Sequence, residues 1–177
     1  MQTKLARWPK YYPNLEVEVF APKFYYSIKQ KRDEYSRNII NSKHQDLSDY
    51  FFEGIKNIFV EALPKPDLIA VIPSSKIGSY SPTMDMLAGK LSTHFGIKYS
   101  NVVQRIKEGK KMSSCPTYDE RFNEIKGSFR VTQQFYNDEI VILDDTGTTG
   151  MTILECAKEL KEAGALDTIA VCLGITE

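Results

Sequence analysis

The chain has 177 residues, and its 23 Lys+Arg balance 23 Asp+Glu, so it carries no net charge at neutral pH. That length suits one domain with a full core, perhaps carrying a small appendage. The even charge gives no electrostatic reason to expect nucleic acid or an anionic membrane as partner. No apolar run approaches the roughly 20 residues of a membrane span, and the basic N-terminus lacks the uninterrupted apolar segment of a signal peptide. Cys115, Cys156 and Cys172 are widely spaced and odd in number. They read as reduced thiols of a cytoplasmic protein, and no His/Cys cluster suggests zinc.

The first 65 residues are rich in aromatics: Trp8, Tyr11, Tyr12, Phe20, Phe24, Tyr25 and Tyr26. Core packing explains most of them better than ligand stacking. Residues 15–20 alternate and predict a strand, and residues 46–63 predict an amphipathic helix with Leu47, Phe51, Ile55 and Ile58 on one face. Pro64-Lys65-Pro66 then breaks the chain. Residues 1–65 are therefore expected as an appendage, and residues 66–177 as an α/β core.

In that core, residues 67–72 (DLIAVI) predict a short buried strand stopped by Pro73. Ser81-Pro82 predicts a helix start, and Met84, Leu87, Ala88, Leu91 and Phe95 recur at helical spacing up to Gly96. Residues 99–106 and 128–131 are strand candidates. Residues 139–145 form an apolar strand ending in two carboxylates. A helix after Gly150 buries Met151, Leu154, Ala157 and Leu160, and residues 168–175 close the sheet. Strands alternating with helices imply a mainly parallel twisted sheet flanked by helices, with ligand sites at the carboxyl ends of the strands.

The segment EIVILDDTGTTG, residues 139–150, carries the most chemistry. Its strand delivers Asp144 and Asp145 to a loop of Thr146, Gly147, Thr148, Thr149 and Gly150, immediately before a helix. Loop amides and the helix dipole favour a phosphate. The hydroxyls add donors, and the carboxylates can accept bonds from sugar hydroxyls. No Gly-Lys-Ser/Thr follows at the Walker A spacing, and the loop has threonines where a dinucleotide-binding turn needs glycines. A second polar loop, with Ser74, Ser75 and Lys76, follows the first core strand. A third segment, residues 105–121, brings Arg105, Lys107, Lys110, Lys111 and Arg121 without a clear strand, the mark of a functional or mobile loop.

The acidic string resembles the PRPP-binding signature of type I phosphoribosyltransferases: four apolar residues (Ile140 to Leu143), two acidic ones, then a Thr/Gly loop closing on Thr149-Gly150. From about residue 70 onward the chain resembles the ComF-like, competence-associated subfamily. The features that carry this are Ile72-Pro73, the Leu87/Leu91 helix, Arg121 with the run Asn123-Glu124-Ile125-Lys126-Gly127-Ser128-Phe129, and Glu155-Cys156-Ala157. Two departures stand out: no cysteine precedes Cys115 for a zinc element, and Ser79-Tyr80-Ser81-Pro82 replaces the subfamily's usual polar helix start.

The resemblance implies transfer of a 5-phosphoribosyl group from PRPP to a nitrogen acceptor, with release of pyrophosphate and dependence on Mg²⁺. It assigns Thr146 to Gly150 to the 5-phosphate, Ser74, Ser75 and Lys76 to pyrophosphate, and Asp144 and Asp145 to the ribose hydroxyls, directly or through metal-bound water. Arg105, helped by the loop residues Lys107, Lys110, Lys111 and Arg121, would assist the leaving group. The N-terminal aromatic region becomes the candidate hood over a small-molecule acceptor such as a nucleobase, and a homodimer is the assembly to look for. A non-catalytic PRPP or nucleotide sensor and a partner-binding protein on the same fold are the alternatives.

Overall fold

A computed structural model describes residues 1–27, 31–63, 65–110 and 114–176. In chain order the elements are β1 (Gln2–Arg7), β2 (Glu16–Ala21), β3 (Lys23–Phe24), α1 (Glu34–Asn41), α2 (Ser48–Ala62), β4 (Leu68–Val71) and α3 (Pro82–Phe95). There follow β5 (Lys98–Tyr99), β6 (Val103–Arg105), α4 (Tyr118–Ile125), β7 (Phe129–Val131), β8 (Glu139–Gly147), α5 (Met151–Glu162) and β9 (Asp167–Ile175). One sheet runs β1-β2-β9-β8-β4-β5, with β3 also on β9. Only the β1–β2 pairing in it is antiparallel. The architecture is thus the expected mixed α/β one, a mostly parallel central sheet flanked by helices.

Strand alternation builds two cores from this one sheet. Ile140 and Ile142 of β8, Leu68 and Ala70 of β4, and Ala170 and Cys172 of β9 face α4 and α5. Val141 and Leu143, Ile69 and Val71, and Val171 and Leu173 face α1, α2 and α3. Strands covered on both sides have to be apolar at every position, which is why β4 and the first part of β8 read as uninterrupted runs.

Helix ends follow their local chemistry. Pro82 opens α3 and Gly96 closes it at φ 64°, in the left-handed region that glycine tolerates. The Asp33 side chain accepts from the Ser36 amide to start α1. Thr117 and Glu120 form a reciprocal capping box at the start of α4. No helix among the described residues is long and apolar enough to cross a membrane.

The structure departs from the sequence expectation in two places. Residues 99–106 do not form one strand: β5 edges the main sheet, whereas β6 leaves it to pair antiparallel with β7 as a separate ribbon. The segment 105–121 is not loop throughout, because its last part is the capped helix α4. Residues 1–24 place β1, β2 and β3 in the main sheet, with Val19 and Phe20 in register with Ala170 and Val171, while α1 and α2 cover one of its faces. The chain break at Pro64 falls outside the described residues.

A buried carboxylate ties the N-terminal segment to the rest. Glu155 of α5 is 1% exposed and accepts from the Tyr12 hydroxyl at 2.9 Å and the Gly127 amide at 2.8 Å. Glu155→Ala leaves both donors without that partner. It is expected to cost about 3 kcal/mol, against about 2 for Tyr12→Phe. Denaturant unfolding of the two variants checks the order, and a Glu155→Ala cost below that of Tyr12→Phe contradicts it.

Candidate functional site

Alternation along β8 does not stop at Leu143. The strand runs on through both aspartates to Gly147, with Asp144 opposite Cys172 and Thr146 opposite Gly174. The two adjacent carboxylates are therefore sent to opposite faces. Asp144 shares its face with Arg105, whose charge favours its ionised form, and with the buried Cys156 thiol, whose pKa burial and then Asp144 push up. Asp145 goes to the α1 side, where the Lys43 Nζ sits 2.7 Å from Oδ2. The Thr146 hydroxyl donates to Asp145 Oδ1 at 2.9 Å, and the Asp145 amide donates to Asp144 Oδ1 at 2.8 Å. Both oxygens of Asp145 are thus engaged within the chain, whereas Asp144 Oδ2 has no hydrogen-bond partner among the described residues.

The electrostatics follow this division. Burial, with the adjacent Asp145 charge, pushes the Asp144 carboxyl up to about 8, against the Asp145 amide and the Lys43 and Arg105 charges. At Lys43 burial opposes the charge, but Asp145 and then Asp144 overcome it and raise the ammonium above its usual value. Nothing in the sequence singled out Lys43, which follows the C-terminal end of α1 and meets Asp145 only through the fold.

The Thr/Gly loop is held by its carbonyls. Lys4 donates to the Thr148 carbonyl, and the Trp8 indole donates to the Thr149 carbonyl at 2.6 Å. Gly150 sits at φ 75°, and a Cβ there would come 2.6 Å from the Ala6 Cβ, so the loop lies directly on β1. Among the described residues no hydrogen bond engages the amides of Thr148, Thr149, Gly150, Thr152 or Ile153. This cluster at the N-terminus of the twelve-residue α5 suits an anion. The helix begins at Met151, so Thr152 and Ile153 in its first turn belong with the residues named from sequence, which stopped at Gly150.

At the neighbouring strand end, the loop after β4 carries Ser74, Ser75 and the exposed Lys76, closed by Ser74 N donating to the Ser79 carbonyl at 2.8 Å. Arg105 lies close by, 7% exposed, with its guanidinium 4.7 Å from the Phe129 ring centroid. Burial lowers its pKa, partly offset by the charges of Cys156, Glu108, Glu124 and Asp144. Among the described residues its Nε has no partner, and Nη1 reaches only the Lys107 carbonyl at 3.4 Å. Elsewhere in the cationic segment, Arg121 Nε donates to the Cys115 carbonyl at 2.9 Å, Lys107 Nζ reaches the Asn123 carbonyl at 3.5 Å, and Lys110 is exposed, its backbone amide donating to Glu124 at 2.7 Å. Lys111 lies outside the described residues.

The N-terminal aromatics mostly pack. Trp8 lies 4.5 Å from Tyr118, and Tyr11 stacks 4.6 Å from Phe122, both on α4. Tyr25 instead follows β3 at the carboxyl edge of the sheet, its amide donating to the Ile175 carbonyl at 2.7 Å. Two cavities lie away from the strand ends described here, one of about 210 Å³ lined by residues including Arg7, Tyr12 and Glu16, the other of about 40 Å³ beside Pro66 and Glu139. Among the described residues no group of three or more His, Cys, Asp or Glu side chains could hold a metal. Asp145, on the opposite face with both oxygens engaged, is not placed to share an ion with Asp144; the one carboxylate left, Asp144, is compatible with Mg²⁺, which takes one or two carboxylates and completes its shell with water and phosphate oxygens of a ligand.

No family model matches the chain, and no curated protein matches it. Among solved structures it is similar to a purine phosphoribosyltransferase from Pyrococcus horikoshii Ot3, at 21% identity over 87% of this chain and 78% of that one, with a TM-score of 0.40.

Asp144 keeps its proton in the fold up to about pH 8, whereas an unfolded aspartate loses it near ~4. The folded state binds the extra proton between those values, so this contribution to stability is complete below about pH 4 and falls as pH rises toward 8. The denaturation midpoint is expected to decline between pH 5 and 8 in the native chain, and to decline much less in Asp144→Asn. Equal slopes in the two proteins contradict the placement of Asp144.

Proposed function

We propose that the chain is a phosphoribosyltransferase that binds PRPP across the carboxyl ends of β4 and β8, and that it belongs with the ComF-like proteins its sequence resembles. One observation carries this reading. A carboxylate, Asp144, stands with two places suited to anions at adjacent strand ends: the free amides opening α5, and the buried, under-partnered Arg105 beside the Ser74–Ser75–Lys76 loop. That order matches a sugar with hydroxyls in the middle, a phosphate at one end and a diphosphate at the other.

In the mechanism, the free amides opening α5 and the hydroxyls of Thr148, Thr149 and Thr152 hold the 5-phosphate at the positive end of the helix dipole. In its ionised form Asp144 accepts from a ribose hydroxyl, and its negative field then favours the cation that develops at C1 and the ring oxygen. The bond from C1 to the diphosphate oxygen breaks with its electron pair leaving on the diphosphate. The nitrogen lone pair of the acceptor forms the new bond to C1. Arg105, with Ser74, Ser75 and Lys76, receives the leaving charge. Asp145 acts at one remove, anchoring Lys43 and Thr146 around the pair. Asp144 is the residue that would hold Mg²⁺, and the ion would supply charge neutralisation on the diphosphate. No side-chain nucleophile is required, because orientation and electrostatics lower the barrier. On the acceptor side, Tyr25 is the N-terminal aromatic placed at the carboxyl edge.

A sensor that binds PRPP without turnover would use the same contacts, and pyrophosphate release separates the two readings. Calorimetric titration with PRPP is expected to show Mg²⁺-dependent binding in the micromolar range, on the order of common substrate affinities. The double variant Asp144→Asn, Asp145→Asn should lose it while staying folded. Unchanged affinity in that variant contradicts the site.

A further inference from the structure

The segment after β6 reaches across to the loop after β4 and makes two hydrogen bonds with it. The Ile77 amide donates to Glu108 Oε1 at 3.0 Å, and the Gly109 amide donates to the Ser75 carbonyl at 3.0 Å. We infer that this segment is a built-in anion plug: the Glu108 carboxylate occupies the amide of a diphosphate-binding loop beside Arg105, and a diphosphate enters by displacing it. The inference rests on the phosphoribosyltransferase reading of the site and adds how its leaving-group side is controlled.

Three features support the plug. First, a carboxylate oxygen and a phosphate oxygen make the same kind of charge-assisted bond to a backbone N–H, so one can stand in for the other. Second, Arg105 is buried with no partner at Nε among the described residues and a long contact at Nη1. A buried guanidinium left this short of acceptors is poised for a better one than Glu108, whose charge it feels but with which it shares no hydrogen bond among the described residues. Third, the segment runs directly against the guanidinium at Gly109. A Cβ there would lie 2.7 Å from Arg105 Nη1, so a larger residue would shift the guanidinium.

Both sides of the exchange are inexpensive. Glu108 is exposed, and its bond to Ile77 competes with water, so the hold is weak. The other end of the segment stays tied to α4 through the Lys110 amide on Glu124, which gives the strap a fixed anchor when Glu108 lets go. The same competition acts on the product. Glu108 returning to Ile77 opposes rebinding of pyrophosphate and so favours its release.

Inorganic pyrophosphate is the probe, titrated calorimetrically into the full chain and into Glu108→Gln, Glu108→Ala and Glu124→Gln. Glu108→Ala is expected to bind it about threefold to fivefold more tightly, the equivalent of one exposed charge-assisted hydrogen bond no longer in competition. Glu108→Gln should fall between it and the native chain. Glu124→Gln removes a nearby charge that also acts on Arg105 but keeps an acceptor for the Lys110 amide and does not bond Ile77, and should change affinity much less. Equal or weaker affinity in both Glu108 variants, or equal tightening in Glu124→Gln, overturns the plug. Hydrogen exchange at the Ile77 amide should speed up in free Glu108→Ala, and unchanged exchange likewise overturns it. PRPP titrations of the same proteins keep the two ideas apart. Native binding of PRPP without tighter pyrophosphate binding in Glu108→Ala sinks the plug alone, and failure of every protein to bind either ligand sinks the site with it.

Discussion

Strand β8 is paired on both sides, and nearly everything at the site depends on that constraint. Four consecutive residues up to Leu143 pair with β4, and eight, running on to Gly147, are in register with β9, so the register that delivers the acidic pair cannot slip. Two acidic residues in succession are forced onto opposite faces of the sheet, where they meet different surroundings. Asp144 enters an interior that raises its pKa and exposes it to Arg105. Asp145 meets Lys43 and Thr146 and is satisfied within the chain. Two residues of one type thereby acquire two environments: Asp145 is ion-paired, whereas Asp144 has no ion pair among the described residues and a carboxyl pushed up to about 8.

The N-terminal segment is what fixes the Thr/Gly loop after β8. Lys4 and Trp8 take the carbonyls of Thr148 and Thr149, β1 supports Gly150, and Tyr12 is bonded to Glu155 on the helix that the loop opens. Holding carbonyls from behind leaves amides unspent, and unspent amides at a helix start are what an anion needs. The aromatic cluster that the sequence offered as a hood over an acceptor is largely the packing that braces this support against α4.

Legibility in the sequence followed locality. The strand-end carboxylates, the Thr/Gly loop and the helices α3 and α5 were readable because apolar runs, Ser81-Pro82, Gly96 and the acidic string are all contiguous. Helix α4 was also announced, by Thr117-x-x-Glu120, but a run of basic residues with Gly109 and Pro116 suggested loop and hid it. Strand β1 exposes alternate residues and lies at the sheet edge, so its pattern is weak. The turn from β5 into β6 could not be seen at all, because which sheet a strand joins is decided by its partner. Lys43 and Glu108 were missed for the same reason: each acts on a residue far along the chain, and no spacing marks such a pair.

The most direct test of the account is a crystal structure of the chain with PRPP and Mg²⁺. The account predicts the 5-phosphate on the amides from Thr148 to Ile153, a ribose hydroxyl on Asp144, and the diphosphate between the Ser74–Ser75–Lys76 loop and Arg105. Ligand density away from Asp144, or with its phosphates clear of both loops, contradicts it.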